Sequence, residues 1–505
     1  MSAPAFTPIP LGQSIPPLPH AVSCSLPTMR DVIGYEEKDP AVTRHLNSGY
    51  PRFVVHPFVR QLTAHLVGAH GLGERELWLT HSARMADDLL AWLDEPAATR
   101  FATDDLWGVS HPPSASLSSR AKTCLQNAGG FLSSRAAEDH LARLGLIPAI
   151  EPETLAPAST ARATVDAVMA RAYPETHDTD RFYTPNGMNA FFAGWRASAT
   201  LQARRGRTIW IQLGWLYLDT IALLRRLTAS PTDYIYLRDV NDLDALAAAC
   251  AAAGDRLAGL VTEAPTNPLV QTADLAAAAE LVHARGGHVI IDPTLVSPFN
   301  VDVLGPADLL TNSLTKYAAS EGDLVAGAVI VNPARPDASA LRDALASTVD
   351  PIYARDFARL AAEIGDFEQV IARTNDNAAR VIEFLQGHPG VAELYWSQQP
   401  GMAANYAKIA RGPSAIGSII SFRVRGPLAP FYDRLNLPKG PSFGMKTTLI
   451  CPFIFLAHYN LVTSAEGQAE LAASGLHPEL LRLAVGCEDP AAIIASLADA
   501  FEAVR

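Results

Sequence analysis

Two spacings of apolar positions share this chain. Short unbroken runs at 289–291, 309–310 and 324–331 are rich in Val, Ile and Leu and are bounded by Gly, Pro and Asp. Such runs predict buried strands. Further strands are predicted at 76–80, 209–213, 260–262, 418–424 and 482–485. Helical spacing governs 83–93, 136–144, 164–172, 245–253, 338–346, 352–385 and 491–504. One more helix has its apolar face at Leu275, Ala278, Leu281 and Val282, with Thr272 as its cap and Gly286-Gly287 as its end. Strand, crossover helix and strand from 260 to 291 form the unit of a parallel sheet. The predicted class is therefore α/β.

The same pattern divides the chain. Residues 1–60 are proline-rich and irregular, an arm that packs on a neighbour or on the body. Residues 61–162 read as an extra, mainly helical region that ends in a Pro- and Ala-rich linker at 147–162. Residues 163–335 carry the parallel-sheet pattern. Residues 336–505 hold a linking helix and a smaller α/β domain.

Composition narrows the function. The chain has 505 residues, 49 % of them apolar and 18 % charged, and a net charge of −12. That balance is globular and argues against nucleic acid or an anionic membrane as partner. No apolar run reaches the ~18 residues of a membrane span. The first 22 residues have neither a basic start nor an apolar core, so no secretory leader is expected. Cys24, Cys124, Cys250, Cys451 and Cys487 lack paired spacing, which suits a reduced, cytoplasmic protein. Lysines are scarce: Lys38, Lys122, Lys316, Lys408, Lys439 and Lys446 are the only six. Arginine replaces lysine in most surface work, but its guanidinium cannot condense with an aldehyde. A lysine kept at 316 is therefore informative.

Ligands of open α/β sheets bind beyond the carboxyl ends of the strands. Asp292 and Lys316 both sit there. Alone, an Asp before Pro is a turn residue and a Lys after a strand is a solvated one. At 182–197 a strand end, a small-residue turn at Gly187-Met188 and a helix start follow one another, a site for phosphate. An acid, a strand-end lysine and a phosphate turn together fit pyridoxal phosphate. Its ring nitrogen needs a carboxylate, its aldehyde a lysine, and its phosphate backbone N–H groups and hydroxyls.

The motifs EAPTNP (263–268), DPT (292–294), SLTK (313–316), Gly187-Met188 and LRLAVGCE (481–488) resemble the fold-type-I pyridoxal-phosphate enzymes of cysteine and methionine metabolism. The resemblance is nearer to the long, fungal-type cystathionine γ-synthases. They share stretches like SIPPLPHAVSCSLPT (14–28), GYPRFVVHP (49–57), GGFLSSRAAE (129–138), FNVDVL (299–304), KGPSFG (439–444) and CPFIFLAHYN (451–460). It implies a mostly parallel sheet with flanking helices at 163–335 as the cofactor-binding domain.

For the site, the resemblance implies Lys316 as the covalent link to the cofactor and the catalytic base. Asp292 pairs with the ring nitrogen, and Asn267 reaches the ring's 3′-oxygen. Gly187, Met188, Ser313 and Thr315 hold the phosphate, with Thr294 beside them. Arg482 binds the substrate carboxylate, and Ser442 lies next to it. The family's phosphate arginine has two candidates. Tyr50-Pro51-Arg52 fits by residue type, while Arg135 fits by its distance ahead of Gly187 and is favoured. The aromatic residue stacked on the ring falls at Leu213, leaving Trp215 or Tyr217 to supply the face. The implied reaction is replacement at Cγ of an O-activated homoserine by a thiol, as in transsulfuration and methionine biosynthesis. The alternative is a γ- or β-lyase. The resemblance also implies a homodimer or homotetramer whose active site draws on two subunits.

Overall fold

The computed structural model describes residues 6–504. The first five residues of the predicted arm and Arg505 lie outside the described residues. A seven-stranded sheet forms the centre, in the order Arg181–Thr184, Gly327–Val331, Leu309–Asn312, His288–Asp292, Leu257–Glu263, Ile209–Leu213, Tyr234–Leu237. The pairs from Leu309–Asn312 to Tyr234–Leu237 are parallel. Gly327–Val331 runs against both of its neighbours. Its residues are all buried, as are those of Leu309–Asn312 and Leu257–Glu263. Burial on both faces explains why these strands read as continuous apolar runs.

Helices flank the sheet. Gly187–Ala203 packs on Leu309–Asn312 and Gly327–Val331. The crossover helix is Leu275–His283, and its cap is Asp274, which accepts from Ala277 N, not Thr272 as expected. The aspartate stands next to the first helical residue, where its carboxylate reaches the free N–H groups. The predicted helix 352–385 is two helices, Ala354–Glu363 and Phe367–Gly387, joined by the 3₁₀ turn Ile364–Asp366.

The C-terminal domain is a four-stranded antiparallel sheet, Val391–Tyr395, Ile419–Val424, Leu481–Ala484, Leu449–Pro452. The arm packs on it: Leu26, Met29, Val32 and Tyr35 share a core with Phe422, Phe431 and Leu483. Ahead of the central sheet lies a unit the apolar pattern described incompletely. Besides the helices Pro57–Ala69, Ala83–Leu93, Ala115–Ala128 and Ser134–Arg143, it has a three-stranded antiparallel sheet of Glu76–Thr80, Leu106–His111 and Thr99–Thr103. The hairpin 99–111 turns through Asp104, whose φ is 45°. Among the described residues no helix is long and apolar enough to cross a membrane.

Candidate active site

Asp292 closes its strand, and Lys316 follows the next strand by four residues. Parallel pairing of the two strands brings both side chains to one cavity. The Asp292 carboxylate accepts from Thr294 N at 2.8 Å. Burial raises its pKa to about 6, with the Thr294 hydrogen bonds opposing. Glu263 ends the neighbouring strand and accepts from Tyr217 N at 2.5 Å. Burial, and then the charge of Asp292, push its carboxyl well above the usual range.

Lys316 Nζ donates to Ser442 Oγ at 2.8 Å and to Tyr50 Oη at 3.4 Å. It lies 4.5 Å from the centre of the Tyr50 ring. Burial lowers its pKa to about 8. Tyr50 opposes this, and Arg482 and Arg52 add to it. The amine is thereby brought toward the neutral form a base needs.

Gly187 opens the helix Gly187–Ala203 behind the N-cap Asn186. A Cβ on Gly187 would lie 2.6 Å from Ser313 Cβ, so only glycine lets this helix start approach Ser313. Thr294 Oγ1 accepts from Ser313 N at 2.8 Å and ties the two strand ends together. At the other end of the cavity, Arg482 Nη1 donates to Asn267 Oδ1 at 3.3 Å and Nη2 to the Ser442 carbonyl at 2.9 Å. Its Nε is buried and without a hydrogen-bond partner. The guanidinium is held between Phe443 and Phe453, 5.1 and 4.5 Å from the ring centres. Cys451, the partner of Arg482 on the neighbouring strand, offers this guanidinium only a weak acceptor, so the guanidinium retains capacity to bind a carboxylate in the cavity.

Asp292, Asn267, Gly187, Met188, Ser313, Thr294, Tyr50, Arg52, Ser442, Arg482 and Lys316 all line this cavity. Two expectations fail. Arg135 is spent elsewhere: it is buried and bound to Glu153, Asp323 and Asp356. Thr315 Oγ1 is taken by the backbone of Ala326, as acceptor at 3.1 Å and donor at 3.3 Å, and does not face the cavity. Of the two arginine candidates, Arg52 is the one that lines the cavity.

Of the two aromatic candidates that follow Leu213, the structure turns one away from the cavity. Leu213 is a buried strand end, and Trp215 turns away to donate to His458 Nε2 at 3.3 Å. Tyr217 is the residue of this segment that faces the cavity, its hydroxyl accepting from Arg52. Sequence reasoning also missed Glu263, Phe443 and Phe453 as cavity residues. Glu263 lay inside a quoted motif as a strand-end acid, and that was a usable signal.

An acid and an amine at adjacent strand ends of a mostly parallel sheet define a fold-type-I pyridoxal-phosphate enzyme. The family model described as Cys/Met metabolism PLP-dependent enzyme matches residues 181–502, and the chain belongs to this family. Its cofactor is pyridoxal 5′-phosphate. It is 39 % identical over 489 residues to an L-2-amino-4-chloropent-4-enoate dechlorinase/desaturase from Streptantibioticus cattleyicolor, covering 97 % of each chain. It is 31 % identical over 323 residues to a cystathionine gamma-synthase from Neurospora crassa, covering 63 % of this chain and 51 % of that one. In fold it is similar to the cystathionine gamma synthase of Xanthomonas oryzae pv. oryzae, with a TM-score of 0.56 and 23 % identity over 68 % of this chain and 87 % of that one. The residues fit the cofactor: a carboxyl at one pole, an amine at the other, and a cradle at Gly187 that a Cβ would fill.

Proposed function

We propose that this enzyme eliminates a leaving group from Cγ of an amino acid whose side chain is uncharged. The observation that carries this is the supply of cations. Among the described residues lining the cavity they are Arg52, Lys316 and Arg482. Lys316 is needed for the covalent link, Arg52 for the phosphate and Arg482 for the substrate carboxylate. A charged acyl group, or the carboxylate of an incoming thiol amino acid, would find no further cation. The wall near Arg482 is apolar instead, built from Phe443, Phe453, Leu456 and Ala457. The activity named for the Streptantibioticus relative, loss of chloride from a small unsaturated side chain, agrees with such a wall.

The chain's own residues divide the work. Asp292 would face the ring nitrogen, and Asn267 the 3′-oxygen. Gly187, Met188 and Ser313 would hold the phosphate with Arg52. When bound, the cofactor supplies an electron sink for charge developing at Cα. Lys316 Nζ, released from its covalent link, takes the Cα proton, and its partners Ser442 and Tyr50 hold it in place. A Cβ proton is then removed, the leaving group departs from Cγ as an anion, and one of the two protons taken is returned to the carbon skeleton, so that one proton and one anion leave in total. Free cysteines at all five positions support a reduced, cytoplasmic setting.

The expected homo-oligomer rests on family likeness, whereas Tyr50 and Arg52 reach the cavity from the same chain as Lys316. The test offers the enzyme amino acids with chloride or acetoxy on Cγ, with and without cysteine. The expected result is release of chloride or acetate at a rate cysteine does not change. Cysteine-dependent formation of a thioether, outpacing elimination, would establish γ-replacement instead.

A further inference from the structure

Arg52 is buried and reaches the cavity from the arm, outside the family-matched segment. Its Nη1 donates to Asp219 Oδ2 and, at 3.0 Å, to the Gln126 carbonyl, and its Nη2 donates to Tyr217 Oη. A guanidinium has five N–H donors, so these bonds leave two for a ligand. Asp219 is fully buried in the first turn of the helix Leu218–Leu227. Its other oxygen, Oδ1, accepts from Gln126 Nε2 at 2.9 Å and Asn127 Nδ2 at 2.8 Å. Burial alone would lower the Arg52 pKa, but Tyr217, Asp219 and Tyr50 raise it overall.

Gln126 and Asn127 end the helix Ala115–Ala128, which belongs to the unit ahead of the matched segment. The same helix end supports the phosphate turn. Asn186, the cap before Gly187, donates from Nδ2 to the Gly129 carbonyl at 2.8 Å, and Asn189 Nδ2 donates to the Ala128 carbonyl at 3.4 Å. Gly129 has φ 67°, and a Cβ there would lie 2.0 Å from Asn186 Oδ1. One helix end therefore touches both the turn and the acid that grips Arg52.

We propose that Asp219 is a positioning residue that holds Arg52 against the phosphate of the cofactor, and that residues 126–129 brace this acid and the phosphate turn together. The proposal rests on the reading of Arg52 as the phosphate arginine. It gives the unit ahead of the central sheet a task, which is to brace the phosphate end of the site. A buried arginine needs a paired acid, and that acid needs its remaining oxygen satisfied. Gln126 and Asn127 do this, leaving Arg52 directed at the ligand.

The experiment titrates cofactor-free wild type, R52A, D219N, N127A and the R52A/D219N double variant with pyridoxal phosphate and, separately, with pyridoxal, which lacks the phosphate. Cofactor absorbance gives each affinity. R52A and D219N are each expected to weaken pyridoxal phosphate about tenfold or more and to change pyridoxal by less than about twofold. In the R52A background D219N should add less than about twofold, because it acts through Arg52. N127A should weaken pyridoxal phosphate alone, by a smaller factor, and carries the test should D219N not fold. If R52A leaves pyridoxal phosphate affinity unchanged, the phosphate reading of Arg52 falls and the proposal with it. If R52A weakens it and D219N and N127A do not, the positioning role alone is overturned. Equal losses for pyridoxal and pyridoxal phosphate in D219N, or effects that multiply in the double variant, overturn it as well.

Discussion

Asp292 is costly to the protein that carries it. A carboxyl kept from water prefers its neutral form, and burial places this one at about 6 against an ordinary 3.8. Between those values the folded cofactor-free protein holds more protons than the unfolded chain. Its stability therefore falls as pH rises from about 4 through about 6, and the full penalty stands above that. The size is on the order of 2–3 kcal/mol. Cofactor-free D292N is expected to denature at a higher temperature than wild type at pH 8, with the gap narrowing toward pH 5. A cationic ring nitrogen beside Asp292 would offset the penalty, which is how a destabilising acid serves a cofactor site. Lys316 was legible because it is chemically irreplaceable in a lysine-poor chain. The choice of Tyr217 over Trp215 was not, because counting along the segment from 213 to 217 cannot show that Trp215 turns toward His458 and Tyr217 toward the cavity.

At the scale of elements, strand ends carry the chemistry. Glu263, Asp292 and the turn to Lys316 extend three adjacent strands, and Gly187 begins the helix packed behind them. The contact between Gly187 and Ser313 leaves no room for a methyl group. G187A is expected to lower pyridoxal phosphate affinity about tenfold or more and to lower the melting temperature of the cofactor-free protein as well, because the added methyl overpacks against Ser313; cofactor titration and thermal unfolding would show both. The strands Ile209–Leu213, Leu257–Glu263, Leu309–Asn312 and Gly327–Val331 were legible because each is buried on both faces and reads as one apolar run, whereas the half-buried edge strand Tyr234–Leu237 was not. The hairpin 99–111 was not either: Thr99–Thr103 has a single buried position among mostly exposed ones, Leu106–His111 is only six residues long, and helical spacing surrounds both. The 3₁₀ turn at Ile364–Asp366 breaks no apolar spacing, so two helices read as one.

At the scale of the molecule, the arm passes over the C-terminal domain and delivers Tyr50 and Arg52 to the cavity that holds Lys316 of the same chain. Complementation measures this. Co-expressed K316A and R52A chains are expected to give no more activity than the two variants purified separately, since each chain's site carries one of the defects. Recovery of activity in mixed oligomers would mean that Arg52 crosses to a partner's site. The same closure explains why Arg135 misled. It stands at a suitable distance ahead of Gly187, yet the fold surrounds it with Glu153, Asp323 and Asp356.

What the sequence determined by itself is the order of the chemistry: an acid and a lysine at strand ends, a small-residue turn before a helix, an Asn-Pro turn and an arginine in a late strand. These depend on residue type and local spacing, which a sequence states directly. Only the tertiary structure decided which arginine reaches the cavity, which aromatic residue faces it, and that Asp219 joins the arm to the unit ahead of the central sheet. Those choices depend on which distant segments meet, 167 residues apart for Arg52 and Asp219, and no local spacing encodes that meeting.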